Sequence, residues 1–170
     1  FVSVHRRVFL PLYLPALLLG IPAQAAYMLL PLYVLERGGS AAEAAAVMGM
    51  RGLGMMAMDL PAGMLAARYG EKAIMLLAVS FIMLAFVAYG FVDDPAWFYF
   101  IAFLNGCGSS TFLLGRLSYV AAYCSTAERG RVIAMIAGSV RSAALLGPLA
   151  GGALAHYAGY KVTFFCASVS

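Results

Sequence analysis

The chain has 170 residues, of which 11 are Lys or Arg and 7 are Asp or Glu, so charged side chains make up 11% of it where a soluble domain carries roughly 25%. Hydrophobic residues reach 64% and the mean hydropathy is +0.92, which leaves more apolar surface than one domain of this length can hide from water. A disordered, fibrous or disulfide-stapled chain is excluded, the net charge of +4 gives no support to a nucleic-acid partner, and lipid is the expected solvent.

At roughly 20 apolar residues per crossing plus a short loop, this length holds about five or six transmembrane helices. The first predicted helix covers residues 8–35, behind Arg6 and Arg7. It is too long for a signal-peptide core, and Pro11, Pro15, Pro22 and Pro31 make it irregular. Polar interruptions at residues 36–43, 68–72, 93–95, 125–131 and 156–161 then separate the apolar runs. The fold class is therefore all-α: a polytopic transmembrane helical bundle with five complete spans and a sixth beginning near Tyr160. That last run stops at Ser170 while still apolar, after only about 15 Å of helix, so the chain is expected to be a piece severed inside its sixth span. Asp93, Asp94 and Pro95 suit the start of the fourth helix, with Trp97 at the interface beyond them.

Alternating the sides places Arg6, Arg7, Arg68, Lys72, Arg129 and Arg131 on one side and only Arg37 and Lys161 on the other. The positive-inside rule makes the first side, with the N-terminus, cytoplasmic. Residues 63–72 (GMLAARYGEK) and 152–161 (GALAHYAGYK) share the pattern G-x-L-A-x-x-x-G-x-K. Three spans separate the copies, so the second faces the opposite side of the membrane, as in the inverted repeats of many secondary transporters.

Four charges fall inside the predicted spans: Arg51, Asp59, Arg116 and Arg141. Each costs roughly 2.5 to 3.5 kcal/mol at a helix centre unless it has a partner or a wet cavity. Asp59, Arg116 and Arg141 lie at similar depth, about 13 to 15 Å from the cytoplasmic ends, so Asp59 is expected to pair with Arg116 or Arg141. Two roles stand open for this cluster: proton coupling during a change of state, or a permanent intramembrane clamp. Arg51 lies about 12 Å further from the cytoplasm, either facing a cavity and attracting an anionic group or snorkelling to the outer surface. The three cysteines, Cys107, Cys124 and Cys166, form no paired spacing, and two distant histidines with one intramembrane acid offer no metal set or catalytic constellation. No cofactor or metal is expected, and an integral membrane enzyme or scaffold is the less favoured class.

The segment from Gly63 to Lys72 resembles the signature loop between helices two and three of the major facilitator superfamily, G-x-L-A-D-R-x-G-R-K. Gly63, Leu65, Ala66, Arg68, Gly70 and Lys72 match, while Ala67 replaces the acid and Glu71 a basic residue. In the family that acid belongs to a cytoplasmic charge network, which Ala67 cannot supply. Gly138, followed after eight residues by Gly147, Pro148, Gly151 and Gly152, is similar to the family's antiporter motif in helix five. Leu104-Asn105-Gly106 with Gly108 resembles its helix four, although Ala102 stands where Arg is frequent, and Glu128 to Arg131 resemble its basic loop.

The resemblance implies that residues 1–170 are the N-terminal six-helix bundle of a transporter with an inverted 3+3 repeat, lacking a C-terminal bundle. It implies a bacterial inner-membrane protein that moves a small molecule by alternating access. The helix-five motif points to proton-coupled efflux by antiport, with an uptake carrier for a small metabolite as the alternative. Because helices one and four line the family's cavity, it makes Gln24 and Asn105 candidate substrate contacts beside Arg51. Physically, Gly147, Gly151 and Gly152 present a bare face to another helix, and Pro148 permits a bend.

Overall fold

The computed structural model describes residues 20–21, 23–92, 94–124, 126–159 and 162. The proposed start of a sixth span, Arg6, Arg7, Lys161 and the prolines at 11, 15 and 22 lie outside them. Five helices follow one another among the described residues: α1 over 23–36, α2 Ala41–Tyr69, α3 Glu71–Phe91, α4 Pro95–Tyr123 and α5 Thr126–Ala158.

Local chemistry sets their ends. Ser40 caps α2 by accepting from Glu43 N at 3.2 Å, while the Glu43 carboxylate accepts from Ser40 N at 2.6 Å, satisfying two orphan donors reciprocally. Asp94 caps α4 by accepting from Ala96 N at 2.9 Å, with Pro95 behind it in the first turn. Gly70 ends α2 with φ +83° and donates to the Ala66 carbonyl at 3.0 Å; Gly159 ends α5 with φ +85° and donates to Ala155 at 3.0 Å. A side chain is strained in that left-handed region, so glycine occupies both places. The two sequence copies thus close their helices in the same way. At the α4–α5 turn, Arg129 donates to the carbonyls of Cys124 and Ala121, two of the acceptors that α4 leaves exposed at its end.

Among the described residues, three stretches are long and apolar enough to cross a membrane: Glu71–Phe91, Ala96–Ala122 and Arg129–Tyr157. The 29 residues of α2 also reach about 43 Å, but Glu43, Arg51, Asp59 and Arg68 keep it out of that apolar class. Contacts run parallel from α2 to α4 (Arg51 to Asn105, Asp59 to Ser110) and from α1 to α5, and antiparallel from α3 to α4 and from α1 to α4 (Tyr27 to Ser109, Tyr33 to Phe98), so successive helices alternate in direction.

Small residues bring the backbones together. Gly54 lies against the Phe103 carbonyl and Gly106 against the Arg51 carbonyl, which fuses α2 to α4 at their crossing. Gly108 and Gly115 face Ala78 and Met75 of α3, while Gly147 and Gly151 rest on Ala25 of α1. Near the α1–α2 and α3–α4 turns the helices converge on a core of Leu30, Tyr33, Val47, Phe86, Tyr89 and Phe98. The Phe98 ring lies 5.7 Å from both Tyr33 and Tyr89, within the range of favourable ring pairing.

Candidate functional site within the bundle

Ten residues into α2 and ten into α4, about 15 Å from either start and hence near the middle of a bilayer, Arg51 meets Asn105. Its Nε donates to Asn105 Oδ1 at 3.3 Å. Its guanidinium carbon stands 4.0 Å from the centroid of the Tyr27 ring on α1. A cation over an aromatic face is worth roughly 0.5 to 2 kcal/mol and a hydrogen bond from a charged donor about 1.5 to 3, which together match the insertion cost of the charge. Arg51 therefore turns inward onto its neighbours rather than outward to the surface.

The supports of this group are polar as well. Ser109 donates to the Asn105 carbonyl at 2.8 Å, so its oxygen is left to accept from the Tyr27 phenol at 3.2 Å. The Tyr27 ring also leans on Phe86 at 5.5 Å. Asn105 is 1% exposed, and among the described residues its Nδ2 has no hydrogen-bond partner. Gln24, one turn before Tyr27, places its Cβ against Gly147 of α5; among the described residues it does not join the Arg51 group.

Asp59 lies two turns further along α2 and accepts a hydrogen bond from Ser110 of α4. The expected ion pair with Arg116 or Arg141 is not formed among the described residues. Similar depth does not mean a shared face: Arg116 follows Ser110 by six residues, about 120° around the helix, and its guanidinium sits 5.4 Å from the Phe112 ring instead. Arg141 is exposed on α5, whose glycines seat it against α1.

The remaining sequence candidates separate by contact. Of the signature segment, Gly63, Leu65 and Arg68 lie in the last turns of α2 and Lys72 in the first turn of α3, with only Gly70 and its positive φ between the helices. Leu65 is half-buried, Gly63 has open space beside it among the described residues, and Arg68 and Lys72 are exposed. In α5, Gly147 and Gly151 are filled by α1, whereas Gly138 and Gly152 have nothing within 4 Å among the described residues. Gly152 makes no contact with α1 among the described residues. Pro148 is half-buried inside the helix. Tyr27, Ser109, Ser110 and Gly54 escaped the sequence reading. Only the small polar run beside Gly108 hinted at them, because intramembrane serines so often bond their own helix, as Ser109 also does.

A helical bundle of membrane-crossing length with charged and amide side chains meeting at mid-depth defines an integral membrane protein with an intramembrane polar site. The chain matches the Major Facilitator Superfamily over residues 8–170 and belongs to that family. It is 27% identical to multidrug resistance protein 2 of Bacillus subtilis (strain 168) over 107 residues, covering 63% of this chain and 26% of that protein. It is 29% identical to the putative metabolite transport protein NicT of Pseudomonas putida over 114 residues, covering 64% and 25%. With the multidrug resistance protein MdtH of Enterobacter sp. (strain 638) the identity is 25% over 125 residues, covering 74% and 31%. The chain thus spans about a quarter to a third of the length of these curated relatives.

Proposed function

We propose that the full-length protein is a secondary transporter that exports small molecules in exchange for protons by alternating access. This chain forms its first six-helix bundle, a second bundle completes the cavity, and the N-terminus lies in the cytoplasm of a bacterial inner membrane. The observation that carries the proton-coupled reading is the pairing of Asp59 with Ser110 rather than with a guanidinium. A hydroxyl can donate to a carboxylate and accept from a carboxylic acid, so it serves both protonation states. A fixed arginine would hold only the charged one. The names of two relatives, both multidrug resistance proteins, support export, and the helix-five pattern around Gly147 and Pro148 agrees with antiport.

The test is proton-gradient-driven movement of a panel of small organic cations, anions and neutral compounds in everted membrane vesicles carrying the full-length protein. Export is expected, and Asp59→Asn, inserted at normal levels, is expected to reduce it by about tenfold or more, the scale of a lost proton-transfer group. Unchanged efflux in the variant would move the proton site elsewhere. Gradient-driven uptake in place of efflux would favour an importer, the direction suggested by the metabolite transport relative.

A further inference from the structure

Arg51 and Asn105 leave a surplus of hydrogen-bond donors at one point inside the bundle. Arg51 spends Nε on Asn105 Oδ1 and one face of its guanidinium on Tyr27. Among the described residues no acceptor meets its two terminal nitrogens, and the residue is only half-buried. Asn105 adds a buried Nδ2 without a partner. The orientation of that amide is fixed by its neighbour, because turning it over would set an N–H donor against the Arg51 Nε–H. Among the described residues no carboxylate answers either group: Asp59 is engaged by Ser110, and Glu43 by the cap of α2.

Such a site refuses a cation and lacks an acceptor. A guanidinium presents parallel N–H groups that fit the two oxygens of a carboxylate, and it can do so while its face stays on an aromatic ring. The Tyr27 ring, backed by the buried Phe86, supplies an apolar, aromatic flank beside those donors. We propose that Arg51 is the recognition point for a small organic carboxylate with an apolar or aromatic body. Arg51 binds the anionic group, and Asn105 is the positioning residue that aims the guanidinium through Oδ1. The inference deepens the transporter reading by assigning a substrate class, and it rests on that reading only for its setting.

The experiment is calorimetric titration of the purified full-length protein in lipid nanodiscs with benzoate, its neutral amide benzamide, and protonated benzylamine. Benzoate is expected to bind at least about tenfold more tightly than benzamide, the scale of one charge-assisted hydrogen-bonded contact, with benzylammonium weakest. Arg51→Gln should erase the preference. So should Asn105→Asp, which places a carboxylate on Arg51 and keeps a polar partner there, both variants being compared at normal insertion and melting temperature. Equal affinity for benzoate and benzamide in the unmodified protein, preference for the ammonium, no carboxylate binding at millimolar concentration, or an unchanged preference in both variants would overturn the proposal. Benzoate preference without any proton-driven transport would sustain the site and defeat the proton-coupled reading. Transport of the ammonium without benzoate preference would do the reverse.

Discussion

Arg51 and Asp59 sit eight residues apart on one helix and are stabilised by different means, the first by an aromatic face and an amide, the second by a hydroxyl. At the mouth of the same helix a third charge, Glu43, is held by the cap. The Ser40 backbone N–H, and then its hydroxyl, lower the Glu43 pKa below the ordinary carboxylate value. A carboxyl whose folded pKa is depressed contributes stability above its unfolded pKa and loses it as pH falls through the folded one. The first turn of α2 is therefore expected to loosen only in acid below the usual glutamate range. A carboxyl NMR titration should place the Glu43 midpoint below that of a free glutamate. Ser40→Ala should move it part of the way back, since the backbone donor remains; a midpoint indifferent to Ser40 would contradict the cap as its cause.

Among the elements, the seam between α2 and α4 depends on two glycines facing each other's backbone. A Cβ on Gly54 would fall onto the Phe103 carbonyl and within 3.2 Å of Cys107 N, so neither side can yield by turning a side chain. Gly54→Ala is expected to cost about 1 to 3 kcal/mol, the range of an overpacked contact. It should also displace Asn105 and Ser110 from Arg51 and Asp59. Gly49, on the same helix, has open space around it, and Gly49→Ala should leave stability unchanged or raise it by up to about 1 kcal/mol through helix propensity. Thermal unfolding of the full-length protein in detergent, followed by size-exclusion chromatography, compares the two. Equal melting temperatures would show that the helices part freely at this crossing.

For the whole molecule, alternating helices with apolar outer faces leave Leu60, Met64, Leu76, Leu145 and Leu149 more than two-thirds exposed, a surface suited to lipid and unsuited to water. The turns then divide into two sets on opposite sides of the membrane. Cys124, a free and half-buried thiol at the α4–α5 turn, belongs to the set that the positive-inside rule assigns to the cytoplasm. With Cys107 and Cys166 replaced by serine, a membrane-impermeant maleimide is expected to label Cys124 in everted vesicles and not in intact spheroplasts. The opposite pattern would invert the orientation.

Composition and run length determined that the chain is a helical membrane bundle, because a bilayer demands about 20 apolar residues per crossing whatever their order. Turn chemistry was equally legible: Asp94-Pro95 and the repeated glycines at 70 and 159 act on their own backbone, so neighbours in sequence suffice to read them. Depth could be counted along each helix, and this grouped Asp59 with Arg116 and Arg141 and set Arg51 apart, while Asn105 was a candidate through the family resemblance. Only the tertiary structure decided which of these meet. The rotation of each helix about its axis is set by the packing of Gly54 on Phe103 and Gly147 on Ala25. That rotation gave Asp59 to Ser110 instead of an arginine, and brought Tyr27 beneath Arg51 from a helix that the count of charges had not implicated.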